Sequence, residues 1–179
     1  GFKQISVEPV VAPDGSGYEI KESDLDILYK EYEKLAFEYV KRRKDGEPFN
    51  FFHFLIDLEQ GPCVIKRLTG CGSGYEYLAV SPEGDLYPCH QFVGIEEFKM
   101  GNLETLEDKG LDMEIQSRFI NSNIYTKEEC RKCWAKFYCS GGCHANAYNF
   151  NGDIRYPYEI GCEMEKKRIE CAISILANL

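Results

Sequence analysis

The 179-residue sequence lacks both an excess of basic charge and any long apolar run. Its formal net charge is −9, which disfavours nucleic acid and anionic membrane surfaces as partners, because both attract basic proteins. The longest apolar runs, such as residues 172–176, are far too short to cross a bilayer. The opening residues also lack the basic and apolar segments that make a secretion signal. We therefore expect a cytoplasmic protein that binds neither nucleic acid nor a membrane.

Cysteine is the residue that the sequence has in excess, with nine copies. In a reducing compartment, thiols serve metal sites or catalysis rather than disulfides. A purely disulfide framework would also leave one thiol over, because the count is odd. The composition thus favours a metal-binding or catalytic role for the cysteines over a network of disulfides.

Residues 1–62 show the patterns of a strand followed by helices. Residues 3–11 alternate in polarity up to a proline, which predicts a short strand. A helix is predicted from an N-cap at Ser23 to a stop at Gly46, since its apolar residues recur every three to four positions. The aromatic-rich residues 49–61, "FNFFHFLIDLEQG", predict a second helix closed by a glycine.

Residues 63–179 have a different character, with glycine, cysteine and short β-like pieces in place of long amphipathic patterns. Residues 75–89 predict a β-hairpin whose tight turn, residues 81–85, has proline and glycine at suitable positions. Residues 111–120 predict a short helix, and residues 163–179 predict a terminal helix. We therefore divide the chain into two regions at this change of character.

Seven of the cysteines form a spaced pattern. The first part, Cys71-x12-Gly84-x4-Cys89, brackets the predicted hairpin, so that both thiolates can approach one site from its open end. The second part is Cys130-x2-Cys133-x5-Cys139-x3-Cys143, followed after a gap of 18 residues by Cys162. Seven thiolates exceed the need of one tetrahedral ion, and they fit two four-iron clusters or two zinc ions.

This pattern resembles that of the SPASM domain, the C-terminal auxiliary part of many radical S-adenosylmethionine (SAM) enzymes that modify peptides and proteins. The resemblance covers about residues 63–165, with every spacing in place. Residues 61–94 further resemble the maturases that install thioether bridges in small cysteine-rich (SCIFF) peptides. The resemblance implies an α+β fold, with a hairpin and short helices around two metal clusters in residues 63–179. It makes residues 1–62 a strand and linker helices from the end of a partial radical SAM (β/α) barrel.

Carried over position by position, the resemblance implies two auxiliary [4Fe–4S] clusters. The first would be held by Cys71, Cys89 and Cys143. The second would be held by Cys130, Cys133, Cys139 and Cys162. Cys143 would thus serve a different cluster from its neighbours in the sequence, and the "SGG" stretch before it would let the backbone turn.

The other two cysteines, Cys63 and Cys171, are not among these seven ligands. Cys63 is a possible fourth ligand of the first cluster, although in thioether-forming relatives this position is thought to stay open for a substrate cysteine. An open iron would act as a Lewis acid and hold the substrate sulfur as a thiolate. Cys63 can also be read as a small buried apolar residue. Cys171 lies outside the pattern, and we expect it to be structural.

Four further side chains lie beside the proposed ligands. His90 and His144 each follow a cysteine of the pattern, and we interpret them as donors to the cluster sulfides or as exposed residues. Trp134 and Phe137, with the adjacent tyrosine, are interpreted as a cover against water or as ordinary packing residues.

The motif that cleaves SAM is absent from this sequence. The family's reaction needs a third [4Fe–4S] cluster, held by Cys-x3-Cys-x2-Cys in an N-terminal barrel together with SAM. The nearest approach here is Cys139-x3-Cys143, but the next required position is Asn146. We therefore expect the chain to be a C-terminal piece of a larger enzyme, with no catalytic residue of its own and no activity alone.

The resemblance implies that the intact enzyme acts on a cysteine-rich precursor peptide, forms an intrapeptide thioether from sulfur to an α-carbon, and receives electrons from a donor. Oxidation of the sulfatase-maturating type is the alternative enzymatic reading. A non-catalytic zinc module is the alternative outside enzymes, since four closely spaced cysteines (130, 133, 139 and 143) could form a zinc site. Zinc could also substitute for iron in protein made in air.

Overall fold

A computed structural model describes residues 1–61 and 63–179. Within these residues the α-helices are α1 (Leu25–Lys44), α2 (Leu106–Lys109), α3 (Met113–Ile120), α4 (Glu128–Lys132), α5 (Lys136–Cys139), α6 (His144–Asn151) and α7 (Glu159–Asn178). The strands are β1 (Gln4–Ile5), β2 (Asn50–Phe51), β3 (Ala79–Val80), β4 (Asp85–Tyr87) and β5 (Gly101–Asn102). Single 3₁₀ turns occupy Glu22–Asp24, Phe52–Phe54, Ile65–Arg67, His90–Phe92, Glu96–Phe98 and Leu103–Thr105. Helices thus combine with small sheets, as the α+β prediction requires.

No helix of the described residues is both long enough and apolar enough to span a membrane.

The N-terminal region is a strand–helix–strand unit. Strand β1 pairs in parallel with β2, and α1 connects them. The predicted first helix is confirmed, but Ser23 is not its N-cap. Ser23 lies inside a 3₁₀ turn that leads into α1, and the backbone N–H of Lys21 donates to the carboxylate of Asp24 there. At the other end, four basic residues complement the negative pole of the helix dipole, and Gly46 has a φ of 79°.

The second predicted helix is wrong. Residues 49–61 instead contain β2 and the single 3₁₀ turn Phe52–Phe54. Pairing with β1 extends the backbone at Phe51, whose ring is almost fully buried. The aromatic residues that suggested a helical face are used by this pairing and by packing on α1, where the rings of Phe51 and Phe54 lie 4.9 Å apart.

The N-terminal region shares its core with the terminal helix. Helix α7 covers the predicted terminal segment and begins four residues earlier than predicted, at Glu159 rather than 163. Cys171 and Ile175 of this helix are buried against α1 and the aromatic residues that follow it. Cys171 is 4% exposed and packs as an apolar side chain, so its predicted structural role is confirmed.

The predicted hairpin is formed by β3 and β4, with Ala79 opposite Tyr87 and Val80 opposite Leu86. Strand β5 adds a third antiparallel strand that the sequence did not indicate. The hairpin delivers the chain into an aromatic core that contains Phe92, Phe98 and Phe119, all at most 1% exposed. Each such ring contributes roughly 1.5–3 kcal/mol by its burial. Cys89, which directly follows the hairpin, belongs to this core.

The predicted short helix is confirmed as α3. The Asp112 carboxylate caps it by accepting hydrogen bonds from the N–H groups of Glu114 at 2.9 Å and Ile115 at 3.0 Å. Its inner face buries Ile115 and Phe119 in the aromatic core. The core therefore fixes α3 beside the hairpin and its following cysteine.

Candidate metal centre

Four of the predicted ligands line one cavity of about 400 Å³. They come from α4, the residue that directly follows it, the end of α5 and the first turns of α7. The four are Cys130, Cys133, Cys139 and Cys162. Cys143, although it is four residues from Cys139, is not part of this wall. The cavity therefore contains the set that the resemblance assigns to the second cluster.

Local backbone structure places these four thiols. The N–H of Cys133 donates to the carbonyl of Cys130 at 3.1 Å, which turns the chain tightly between the two cysteines. The N–H of Cys139 donates to Ala135 at 2.9 Å, and the N–H of Cys162 donates to Tyr158 at 3.0 Å. Short helices are thus the devices that direct distant cysteines to one point.

Burial favours the protonated form of three of the cavity's thiols. Burial raises the pKa of Cys139 to about 12 and the pKa of Cys162 to about 11. Burial also raises the pKa of Cys130. Since only thiolates bind metals, a metal group that enters must displace these protons and carry the compensating positive charge.

The remaining three predicted ligands lie together at a second place. Burial raises the pKa of Cys89, and the charges of Cys143 and Cys71 raise it further. The Cys71 sulfur lies 3.8 Å from the hydroxyl of Tyr77. Burial raises the pKa of this tyrosine, and both Cys71 and Cys89 raise it further. Cys89 is buried, whereas Cys71 and Cys143 are exposed. The structure therefore groups these three cysteines separately from the four of the cavity.

The separation of Cys139 from Cys143 is caused by three successive residues with left-handed backbones. Ser140, Gly141 and Gly142 have φ angles of 61°, 89° and 75°. Only glycine adopts this region without steric cost, which explains why two of the three residues are glycines. The turn reverses the chain between the two cysteines, as the sequence predicted for the "SGG" stretch.

His144 connects three segments around the group formed by Cys71, Cys89 and Cys143. Its Nε2 lies 3.1 Å from the carbonyl oxygen of Ser122, which can only accept, so this nitrogen carries the proton. Its Nδ1 therefore accepts from the hydroxyl of Ser73, 3.0 Å away. Burial lowers the pKa of His144 to about 4. The interpretation as an exposed residue is wrong, and no hydrogen bond from His144 to a cysteine is found in the described residues.

The other side chains singled out from the sequence are placed away from the cavity. His90 is exposed and contacts Gln91. Trp134 is 54% exposed, and neither it nor Phe137 lines the cavity, where the aromatic wall is formed by Tyr156. The Cys63 side chain is exposed and forms no hydrogen bond within the described residues.

A buried lysine beside the cavity was not anticipated. Lys127 is 2% exposed, and its ammonium group donates to the carbonyl of Gly141 at 3.1 Å. No sequence pattern indicates its burial, because it lies in a run of lysine and glutamate that resembles an ordinary solvated surface.

The residues at the cavity fit an iron–sulfur cluster. Four thiols around one enclosed space are the donor set that such clusters use. Among the described residues, no group of three or more His, Cys, Asp or Glu side chains is close enough to hold a single metal ion. A zinc ion holds each sulfur at about 2.3 Å, so its ligands lie closer together than the ligands of a multi-atom cluster.

Comparisons with known proteins agree with this chemistry. Residues 71–134 match the SPASM family model, described as an iron–sulfur cluster-binding domain. An uncharacterised protein of Archaeoglobus fulgidus is 34% identical over 113 residues, which are 62% of this chain and 26% of that protein. A cysteine-type anaerobic sulfatase-maturating enzyme of Clostridium perfringens is 31% identical over 122 residues, 65% of this chain and 32% of the enzyme. A serine-type enzyme of the same name from Klebsiella aerogenes is 31% identical over 127 residues, 58% and 30% of the two chains.

The fold is also found among solved structures. The structure of native anSMEcpe with bound AdoMet and a Kp18Cys peptide matches with a TM-score of 0.60 and 21% identity, over 96% of this chain and 47% of that chain. The same enzyme with a Cp18Cys peptide matches with a TM-score of 0.61. The chain therefore spans less than half the length of the curated relatives and structures that it matches. Residues 71–134 thus match an iron–sulfur cluster-binding domain, and parts of the chain are similar in sequence to anaerobic sulfatase-maturating enzymes.

Proposed function

We propose that this chain holds two auxiliary [4Fe–4S] clusters of a radical SAM enzyme. The observation that carries the proposal is the separation of two neighbours in the sequence: Cys139 lines the cavity, whereas Cys143 lies with Cys71 and Cys89. The second cluster would be held by Cys130, Cys133, Cys139 and Cys162, and the first by Cys71, Cys89 and Cys143. When bound, such clusters supply one-electron redox chemistry, and an iron without a protein ligand supplies a Lewis acid.

The intact enzyme would modify a cysteine-containing polypeptide. Support comes from the matched structures of anSMEcpe, which hold Cys peptides together with AdoMet. SAM and a third cluster would be held by a barrel with the Cys-x3-Cys-x2-Cys motif, to which the β1–α1–β2 unit would contribute its last strands. An electron donor would serve as the remaining partner.

The finer reaction that we propose is formation of an intrapeptide thioether. The first group of cysteines offers three protein sulfurs, while Cys63 is exposed. A cluster with three protein ligands leaves one iron free to bind a substrate cysteine. Two of the three sulfurs, those of Cys71 and Cys143, are exposed, so a peptide has access to this place.

Oxidation of the sulfatase-maturating type is the second candidate, and the names of the relatives favour it. In this reading Cys63 completes the first cluster, and substrate does not bind iron. The two candidates therefore differ in a property that can be measured without the substrate's identity: the ligand of one iron in the first cluster.

The two-cluster proposal is tested by the content of iron, acid-labile sulfide and zinc per chain after anaerobic purification and reconstitution. We expect about eight irons with matching sulfide, since two four-iron clusters are present. One or two zinc ions per chain, with no cluster formed on reconstitution, would instead establish the zinc module.

The finer reaction is tested with the Cys63→Ala variant and a short peptide that contains one cysteine. For the thioether reaction, the variant keeps eight irons, and the peptide thiol perturbs the Mössbauer spectrum of one iron in both the wild type and the variant. For the sulfatase-type reaction, the wild type does not respond to the peptide, and the variant loses or alters its first cluster. A Cys171→Ala variant is the matched control, because this cysteine packs in the N-terminal core.

A further inference from the structure

Lys127 is a buried cation that forms no ion pair in the part of the chain that the structure describes. Its side chain is almost fully enclosed, and the one hydrogen bond of its ammonium group goes to a neutral carbonyl, that of Gly141. Lys166, one of the two lysines that line the cavity, is instead paired with Glu163 at 2.6 Å. An uncompensated buried charge is strongly unfavourable, so the position of Lys127 indicates that an anionic group belongs beside it.

The position of this lysine relates it to both groups of cysteines. It lies three residues before Cys130, and its ammonium group contacts the left-handed turn that joins Cys139 to Cys143. Gly141 has no side chain that could separate the lysine from this backbone. A Cβ atom added there would lie 4.0 Å from the lysine nitrogen. Lys127 therefore reaches the one stretch of backbone that the two groups share.

The electrostatics of the site agree with this position. Burial lowers the pKa of Lys127, while four thiols oppose that effect. The four are those of Cys130, Cys139 and Cys162 from the cavity and that of Cys143 from the other group. The ammonium group thus feels sulfurs of both groups, and negative charge on either of them stabilises it.

We propose that Lys127 is the shared counter-ion of the two cluster sites and raises the reduction potential of both clusters. This inference rests on the proposed function, because it requires clusters at both places. A four-iron cluster held by thiolates carries net negative charge, and that charge grows by one on reduction. A fixed positive charge nearby therefore stabilises the reduced state more than the oxidised state. Because one lysine serves both sites, removal of its charge changes the reduction potentials of both clusters together.

The test measures both midpoint potentials by redox titrations that are followed by electron paramagnetic resonance, on anaerobically reconstituted protein. Lys127→Met and Lys127→Gln both remove the charge, but the glutamine keeps a donor for Gly141. We expect both variants to disfavour reduction of each cluster about tenfold, which lowers each potential by about 59 mV. Lys127→Arg keeps the charge and is expected to retain wild-type potentials.

Lys132→Met is the matched control, because it removes the same charge at the other end of α4, from a side chain that is 73% exposed. Solvent screens this charge, so its loss leaves both potentials close to the wild-type values. Unchanged potentials in fully loaded Lys127→Met would overturn the proposal, as would a shift of one cluster only. Recovery of both potentials in Lys127→Gln would also overturn it, because the hydrogen bond and not the charge would then be responsible.

A second measurement uses the protein without iron, where the lysine charge has no counter-ion. Here Lys127→Met is expected to be at least as stable to heat as the wild type, and a large loss of stability would show a structural role instead. Iron content separates this proposal from the previous one. A wild-type protein that binds no cluster refutes the proposed function, whereas loaded variants with unchanged potentials refute only the role of Lys127.

Discussion

The hydroxyl of Ser73 donates to Nδ1 of His144 at 3.0 Å, across 71 residues of sequence. The other ring nitrogen donates to Ser122, whose own hydroxyl donates to the carbonyl of Ile154. Ser73 lies two residues after Cys71, and His144 directly follows Cys143. This buried chain of hydrogen bonds therefore positions Cys71 and Cys143, two of the ligands that we propose for the first cluster.

Ser73→Ala is expected to destabilise the protein by about 1–3 kcal/mol, because it leaves a buried imidazole nitrogen without its donor. The free energy of unfolding, measured by chemical denaturation of the iron-free protein, checks this value. Ser174→Ala is the control, since this serine is exposed on α7 and its loss changes stability by at most about 0.5 kcal/mol. Equal stability of the two variants would show that the Ser73 bond is not formed.

Cys139→Ala and Cys143→Ala are expected to remove different clusters although the residues are four positions apart. Each single variant keeps about four irons per chain, and the double variant keeps almost none, because each site then lacks a ligand. Iron and sulfide analysis gives the numbers, and the spectra of the two single variants differ. A double variant that still holds four irons would place both cysteines at one site.

Glu19 gives the fold a dependence on acid pH. The backbone N–H of Glu19 itself, the Ser16 hydroxyl and the N–H of Gly17 lower the pKa of its carboxyl group to about 2. The unfolded chain takes up this proton near pH 4.5 and the folded chain only near pH 2, so the stabilisation is complete above pH 4.5 and is lost as the pH falls to about 2.

The thermal midpoint of Glu19→Gln should therefore lie below that of the wild type at neutral pH, and the difference should close as the pH approaches 2. The exposed Glu22 provides the control, because Glu22→Gln removes the same charge. A difference between wild type and Glu19→Gln that persists unchanged at pH 2 would contradict the role of the carboxylate.

The protein alone, with both auxiliary sites loaded and a strong reductant present, is expected to release no 5′-deoxyadenosine from SAM. The sequence printed here contains no Cys-x3-Cys-x2-Cys motif to hold the cluster that cleaves SAM. Chromatography of the reaction mixture checks this outcome. Formation of deoxyadenosine in proportion to the protein would show that another group of cysteines supplies the missing site.

The elements that sequence patterns predicted correctly are those stabilised by local interactions. Helix α3 has an aspartate cap and an apolar face, and the hairpin has proline and glycine in its turn. The helix predicted over residues 49–61 failed because β2 pairs with a strand 46 positions earlier in the chain, at Gln4 and Asn50. No local pattern reports that pairing. Strand β5 has two residues and no periodicity to recognise.

The same distinction between local and long-range interactions applies to the candidate site. The resemblance implied that Cys143 groups apart from Cys139, and the structure places Cys139 but not Cys143 in the cavity wall. Lys127 and Ser73 could not be anticipated, because their importance depends on burial and on partners that are distant in sequence. His144 drew attention because it follows Cys143, yet its hydrogen bonds are with two serines.

Helix α7 contributes residues both to the cavity and to the N-terminal core. Cys162 in its first turns faces the cavity, and Cys171 and Ile175, at least about 13 Å further along at 1.5 Å per residue, close the N-terminal core against α1. A helix of this length behaves as a rod, so whatever restrains one end restrains the other. Filling the cavity should thus slow amide exchange in α1, which contributes no residue to it, and iron loss should be felt as loosening there. A metal group held in the cavity would therefore stabilise α1 as well, although α1 is distant in sequence from the cavity cysteines.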